Sequence, residues 1–221
     1  MRYLFPIILG IVGLAILVSL GTWQVQRMAW KEGVLAEIDA RISAAPVAVP
    51  AQPDPQADRF LPVEAKGLLG IQEITVLASI KQVGAVHRVI STLTTEDGRR
   101  LLVDLGTRPV DTPADARAET PVSVVGNLHW PDEIDGFTPE PEGRLFFARD
   151  IPAMAALLGT EPVLIVARQI TPPPSGITPF PVSSTGIPND HLEYAMTWFG
   201  LALVWLGMTL FLLWRIKRRT A

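Results

Sequence analysis

Two stretches hold the residues whose types and spacing could do chemistry. "PNDHLEYAMTWFG", residues 188–200, sets His191, Glu193 and Tyr194 at the doorway of a long apolar run, and "GTWQVQRMAWKEGVL", residues 21–35, follows another. His191, Tyr194, Ala195 and Trp198 recur at i, i+3, i+4 and i+7, the spacing of one helix face. Trp23, Gln24, Arg27 and Lys31 sit at the matching depth beside the other run. An imidazole flanked by aromatic rings, with cations a turn away, suits a flat metallomacrocycle that needs an axial nitrogen and partners for its propionates. The spacing equally suits a simpler reading, in which His191 is an interfacial polar residue packed on Tyr194. Trp23 and Trp30 likewise fit an interfacial aromatic belt.

Other chemistry is excluded or unsupported. The 221-residue chain has no cysteine, which removes thiolate metal sites, Cys nucleophiles and disulfides, and disfavours Cu(I) as a cargo. His87 and His129 stand apart in strand-like runs without ligands at metal-site spacing, and read as structural or surface residues. There is no Gly-rich phosphate loop, no His-Glu-x-x-His and no nucleophile elbow. Asp104 and Arg108 in "LLVDLGTRP" read as a surface ion pair. Nothing here commits the chain to a reaction or marks a catalytic residue, which leaves a membrane-anchored enzyme as the least supported class. Its net charge of -3 is concentrated in an acidic middle, unsuited to nucleic acid.

The elements that must position these residues begin with two spans. Residues 4–22 and 194–214 are uncharged, and each is close to the ~20 residues that a helix needs to cross a bilayer. The first pattern continues as a helix to about residue 42. Arg2 precedes the first span, Arg215, Lys217, Arg218 and Arg219 follow the second, and all 22 acidic residues lie between Trp30 and Tyr194. Both termini are thus expected on the cytoplasmic or matrix side, with the enclosed segment translocated. Cleavage after a signal peptide is the alternative at the amino end, where Ser19-Leu20-Gly21 offers small residues, but the apolar run is long and the basic region is Arg2 alone.

The enclosed segment reads as a mainly antiparallel β (α+β) extramembrane domain over residues 60–170. Its strand-like runs are "FLPVEAKG", "QEITVLASI", "AVHRVIST", "RRLLVDLG", "PVSVVGNLHW", "RLFFAR" and "PVLIVARQI". Glu96-Asp97-Gly98 predicts a hairpin across residues 86–105, and "IPAMAALLG" one short helix. The prolines of residues 46–55 read as an extended wrap, and residues 171–190 as a Pro- and Gly-rich return linker. Asn189 or Asp190 can cap the second helix, and with Asp190 as cap Glu193 is the third helical residue and the helix starts at His191.

The passages "GTWQVQRMAWKEGVL" and "PNDHLEYAMTWFGLALV", each directly bordering a terminal span, resemble the Surfeit-locus (Surf/Shy) family of cytochrome c oxidase assembly factors. The matching positions are Gly21, Trp23, Gln24, Arg27, Trp30, Lys31, Tyr194, Ala195, Thr197 and Trp198. The resemblance implies a non-enzymatic factor that builds the haem a-containing subunit of the oxidase, with His191 at the position implicated in holding haem a. In that expectation His191 is the metal ligand, Arg27 and Lys31 meet propionates, and Trp23, Tyr194 and Trp198 cover the macrocycle. The implied partners are the oxidase catalytic subunit, haem a synthase and the lipid bilayer. The alternative is a scaffold that stabilises a nascent oxidase subunit without holding haem. The start at Leu4 without an Arg- and Ser-rich leader points to a bacterial inner membrane with a periplasmic middle, the mitochondrial inner membrane being the alternative. The middle departs from the family pattern at Leu105–Pro109 and in "RLFFARD".

Overall fold

A computed structural model describes residues 4–81, 83–113, 118–185 and 187–220, without the side chain of Thr220. Arg2 and the return linker's Gly186 lie outside the described residues. The chain forms two compact units, Met1–Glu37 with Ser184–Ala221, and Ile38–Ser183.

Two long helices make the first unit. Helix α1 covers Leu4–Ile42 and α3 covers His191–Thr220. Each contains an apolar stretch long enough to cross a membrane, with mean hydropathy 2.6 and 1.9. Little of either stretch is buried within the protein, which sets them apart from core helices. The 39 residues of α1 extend about 58 Å at ~1.5 Å per residue, roughly twice the hydrocarbon thickness. Pro6 is tolerated in the first turn, where its missing N–H would have no partner. The last turn of α1, from Ile38, belongs to the second unit, and there the Ile42 carbonyl accepts from Asn127 Nδ2 at 3.0 Å and from an Arg168 nitrogen at 3.3 Å. These bonds satisfy a carbonyl that the end of a helix leaves without an internal partner.

The second unit is a sheet closed on itself. Its strands are β1 (Val47–Ala48), β2 (Pro62–Ile80), β3 (Gly84–Thr95), β4 (Arg100–Pro109), β5 (Thr120–Leu128), β6 (Leu145–Phe146) and β7 (Leu164–Thr171), with helix α2 at Ile151–Leu158. The order β1-β2-β3-β4-β7-β5, with a further β2–β5 pairing, joins β2, β3, β4, β7 and β5 into a ring. Strand β2 makes closure possible because its first half pairs with β5 and its second with β3, the two registers overlapping at Gly67–Leu69. A Cβ on Gly67 would stand 2.1 Å from the Thr94 carbonyl oxygen, so only glycine permits this approach. The two runs that read as separate strands around residues 60–80 are therefore one bent strand, with a register shift between Leu69 and Glu73.

The long pairings β2–β3, β3–β4, β2–β5 and β5–β7 are antiparallel, as expected, but the sheet is mixed rather than purely antiparallel. β4–β7, β1–β2 and β2–β6 are parallel pairs. Hairpin signals in a sequence report only neighbours in the chain, whereas β7 reaches β4 after a crossover through α2. Asp150 caps α2 by accepting from the Ala153 amide at 3.0 Å, and Gly159 ends it in the left-handed conformation.

Alternation in β4 and β7 divides the core. Leu101, Val103, Leu105, Ile165 and Ala167 fill the ring together with Val63, Leu93 and Val124. Leu102, Leu164 and Val166 point the other way and pack with Met154 and Leu158 of α2. Burial on both faces explains why these strands read as unbroken apolar runs.

Candidate functional site

Helices α1 and α3 meet along an antiparallel seam of small residues. A Cβ on Gly10 would stand 2.3 Å from Thr209, one on Gly13 2.5 Å from the Trp205 indole, and one on Gly21 2.7 Å from the Phe199 ring. The Trp205 indole N–H donates to the Gly10 carbonyl at 3.1 Å. Ala195 and Ala202 are buried on the facing side of α3. In an apolar solvent, close backbone approach of this kind is what drives helices together.

Following the seam toward the His191 end, the next pair is Gln24 and His191. The Gln24 side-chain oxygen lies 2.8 Å from His191 Nδ1. Gln24 is 9% exposed, and His191 is half-buried as the first residue of α3. Beyond them, Lys31 Nζ donates to the Pro188 carbonyl, fastening the segment that leads into α3. The backbone amide of Tyr194 donates to the Asp190 carbonyl at 3.3 Å, the first turn of α3.

The six residues expected around a macrocycle are thus divided by the seam. His191 and Trp198 are partly buried, and Lys31 is partly buried and engaged with Pro188. Trp23 and Tyr194 are 54% and 57% exposed, and Arg27 is exposed with its guanidinium 3.9 Å from the centre of the Trp30 ring. That cation–π contact holds the charge near the helix surface rather than in the seam. The sequence reading placed Gln24 at the matching depth and among the motif positions but gave it no role at the site. Its signal was present: a polar amide at the depth of His191, on the side of α1 that carries Gly21.

The residues present fit a flat, singly ligated macrocycle. With Nδ1 facing Gln24, Nε2 is the nitrogen left for a ligand, and exposed aromatic rings and a cation lie on the same helices within a turn or two. Among the described residues no group of three or more His, Cys, Asp or Glu side chains could cage a bare metal ion.

A second constellation lies inside the sheet unit. Asp104, expected as a surface partner of Arg108, is 0% exposed and pairs instead with Arg88 from the neighbouring strand, whose Nε stands at 2.8 Å. An Arg149 nitrogen lies 3.9 Å away, and the Gly106 amide donates to the carboxylate at 3.1 Å. Arg108 pairs with Glu73 at 2.9 Å. The register shift between β3 and β4 at Val89/Ile90 lies beside Asp104, a tertiary feature that strand alternation does not predict. Burial pushes the Asp104 carboxyl up, while Arg88, Arg149 and the Gly106 amide pull the other way. Arg149 also holds Glu133, whose carboxyl is lowered: its burial acts upward but is outweighed by the Arg149 hydrogen bonds and charge. Arg88 is stacked 4.9 Å from the Phe180 ring centre.

His129 stands beside this network, its ring 5.3 Å from that of Phe60. Its Nδ1 is buried without a hydrogen-bond partner, and burial followed by the positive charges of Arg149 and Arg59 lowers it to about 4. It is therefore neutral at physiological pH. His87 is partly buried on β3 opposite Leu77 and Arg108. Each Arg in the cluster has a carboxylate, so the network ties β2, β3 and β4 to the segment of residues 131–149. The departures from the family pattern fall here: Arg108 and Arg149 are paired, and Asp150 is a helix cap.

Comparison with known proteins supplies a family. A family model described as SURF1 family matches residues 11–203. Surfeit locus protein 1 of Homo sapiens is 31% identical over 210 residues, covering 83% of this chain and 69% of the human protein. The Rattus norvegicus protein of the same name is 30% identical, covering 83% and 67%. A SURF1-like protein of Monosiga brevicollis is 29% identical, covering 88% and 82%.

Proposed function

This chain belongs to the SURF1 family, whose general role is cytochrome c oxidase assembly, and from that premise we propose that it holds haem a transiently for insertion into the oxidase catalytic subunit. The observation that carries the proposal is His191: a half-buried imidazole as the first residue of α3, with its Nδ1 2.8 Å from the Gln24 side-chain oxygen. Haem a is cargo rather than a resident cofactor. His191 holds the iron from one side, Trp23, Tyr194 and Trp198 offer ring surface, and Arg27 and Lys31 supply positive charge for propionates. Lys31 retains donors for this role, since one ammonium has three and Pro188 takes one. Such a carrier works at modest affinity, because a tight site would lengthen residence and keep its cargo. The protein is non-enzymatic in this reading. Its two spans cross an inner membrane, bacterial by preference, with both termini cytoplasmic and the sheet unit periplasmic. The cations at 215 and 217–219 support that orientation. The catalytic subunit and haem a synthase are the partners.

The test is the visible spectrum and extracted haem type of protein purified gently from cells that make haem a, beside His191→Ala. Haem a in the parent that is lost or spectrally altered in the variant supports the proposal. A colourless parent that still restores oxidase assembly overturns it in favour of a scaffold that stabilises a nascent oxidase subunit.

A further inference from the structure

The role of Gln24 goes beyond membership of a motif. We infer that Gln24 is a positioning residue that holds the His191 imidazole in the tautomer whose lone pair is on Nε2. The reach of this inference to haem rests on the function proposed above; its geometry does not. An amide oxygen can only accept a hydrogen bond, so its approach to 2.8 Å from Nδ1 requires the ring proton to be there. A neutral imidazole carries one N–H, and the acceptor nitrogen is then Nε2. Without Gln24 the two tautomers would compete, and the form bearing the proton on Nε2 cannot bind iron through that atom.

The structure supplies the rigidity that such a role needs. Gln24 is buried in the seam, and one turn before it Gly21 lets the Phe199 ring come close enough to exclude any Cβ. One turn on the other side of His191, the Lys31 bond to the Pro188 carbonyl holds the chain entering α3. A buried amide without a partner is costly, which favours the arrangement in which Gln24 and His191 satisfy each other. The choice of an amide is chemically specific. A carboxylate at this position would draw the Nδ1 proton more strongly, making the imidazole a better iron donor and the cargo slower to leave. A neutral acceptor orients the ring without adding a negative charge behind it, as suits release.

The experiment uses the full-length protein in detergent, haem-free and labelled with ¹⁵N-histidine, at about pH 8, where an ordinary imidazole is neutral. His191→Ala identifies the His191 ring signals. The expected parent pattern is a protonated Nδ1 and an unprotonated Nε2, with Gln24→Leu shifting the ring toward mixed tautomers and Gln24→Glu keeping the proton on Nδ1. In a haemin titration, Gln24→Leu weakens binding about tenfold or more, and Gln24→Glu restores or tightens it. A parent ring protonated on Nε2, or ring shifts that Gln24→Leu leaves unchanged, overturns the inference. Because Gln24→Glu preserves size and the acceptor, its shifts and haemin affinity decide the matter even where Gln24→Leu fails to fold. Tautomer shifts as expected in a protein that binds no haemin uphold the positioning role and overturn the haem-carrying function.

Discussion

Asp104→Asn should unfold the sheet unit far more readily than the loss of one charge on a surface would. Asp104 is fully buried and faces Arg88, whose side chain is 9% exposed, with Arg149 at 3.9 Å. Two unit charges about 4 Å apart at an effective dielectric of ~20 attract by about 4 kcal/mol. Asparagine keeps an acceptor for the Gly106 amide but leaves Arg88 as a buried cation without its counter-charge. Breaking such a pair from one side costs about 3–5 kcal/mol, whereas replacing both partners by apolar residues is close to neutral. The double variant Arg88→Met, Asp104→Leu should therefore recover most of the loss, giving a coupling energy of about 2–3 kcal/mol in the cycle. Amide exchange followed by mass spectrometry reads β3 and β4 directly, and Asp104→Asn should reduce their protection at least about a hundredfold. A loss under about 1 kcal/mol, or strictly additive variants, would refute the view of the pair as one buried unit.

Gly13→Leu should split the helix seam, since even its Cβ would overlap the Trp205 indole; overpacking costs about 1–3 kcal/mol. The expected result is loss of the His191 tautomer preference at a site about 16 Å along α1, while β3 and β4 keep their exchange protection. His129 is lowered to about 4 against an ordinary 6.5, so the unfolded chain takes up its proton first as pH falls. Its stabilising contribution is complete above about pH 6.5 and is lost as pH falls through 4. That is about 2 kcal/mol once the partial exposure of the ring is allowed for. Urea unfolding across this window should fall less steeply in His129→Gln than in the parent.

Local chemistry was readable where it is written in consecutive residues. The uncharged runs, the Asp97-Gly98 turn between β3 and β4, and the capped helix at residues 151–158 each follow from neighbours acting on neighbours. Strand pairing was less so. The bend at Gly67 and the crossover that sets β7 parallel to β4 depend on contacts remote in sequence. The same distance hid the partner of Asp104, because Arg88 reaches it through a bulged register that alternation does not anticipate.

At the candidate site the division is similar. By itself the sequence determined that His191 opens a helix, that aromatic and basic residues accompany it at helical spacing, and that both ends of the chain carry membrane-length apolar stretches. Those are properties of composition and period, which no tertiary contact needs to supply. Only the tertiary structure decided that Gln24, rather than Trp23 or Arg27, meets the imidazole. That choice belongs to the seam: Gly10, Gly13 and Gly21 set the rotation and depth at which α1 meets α3, and a change of one residue in that rotation would turn a different side chain toward His191.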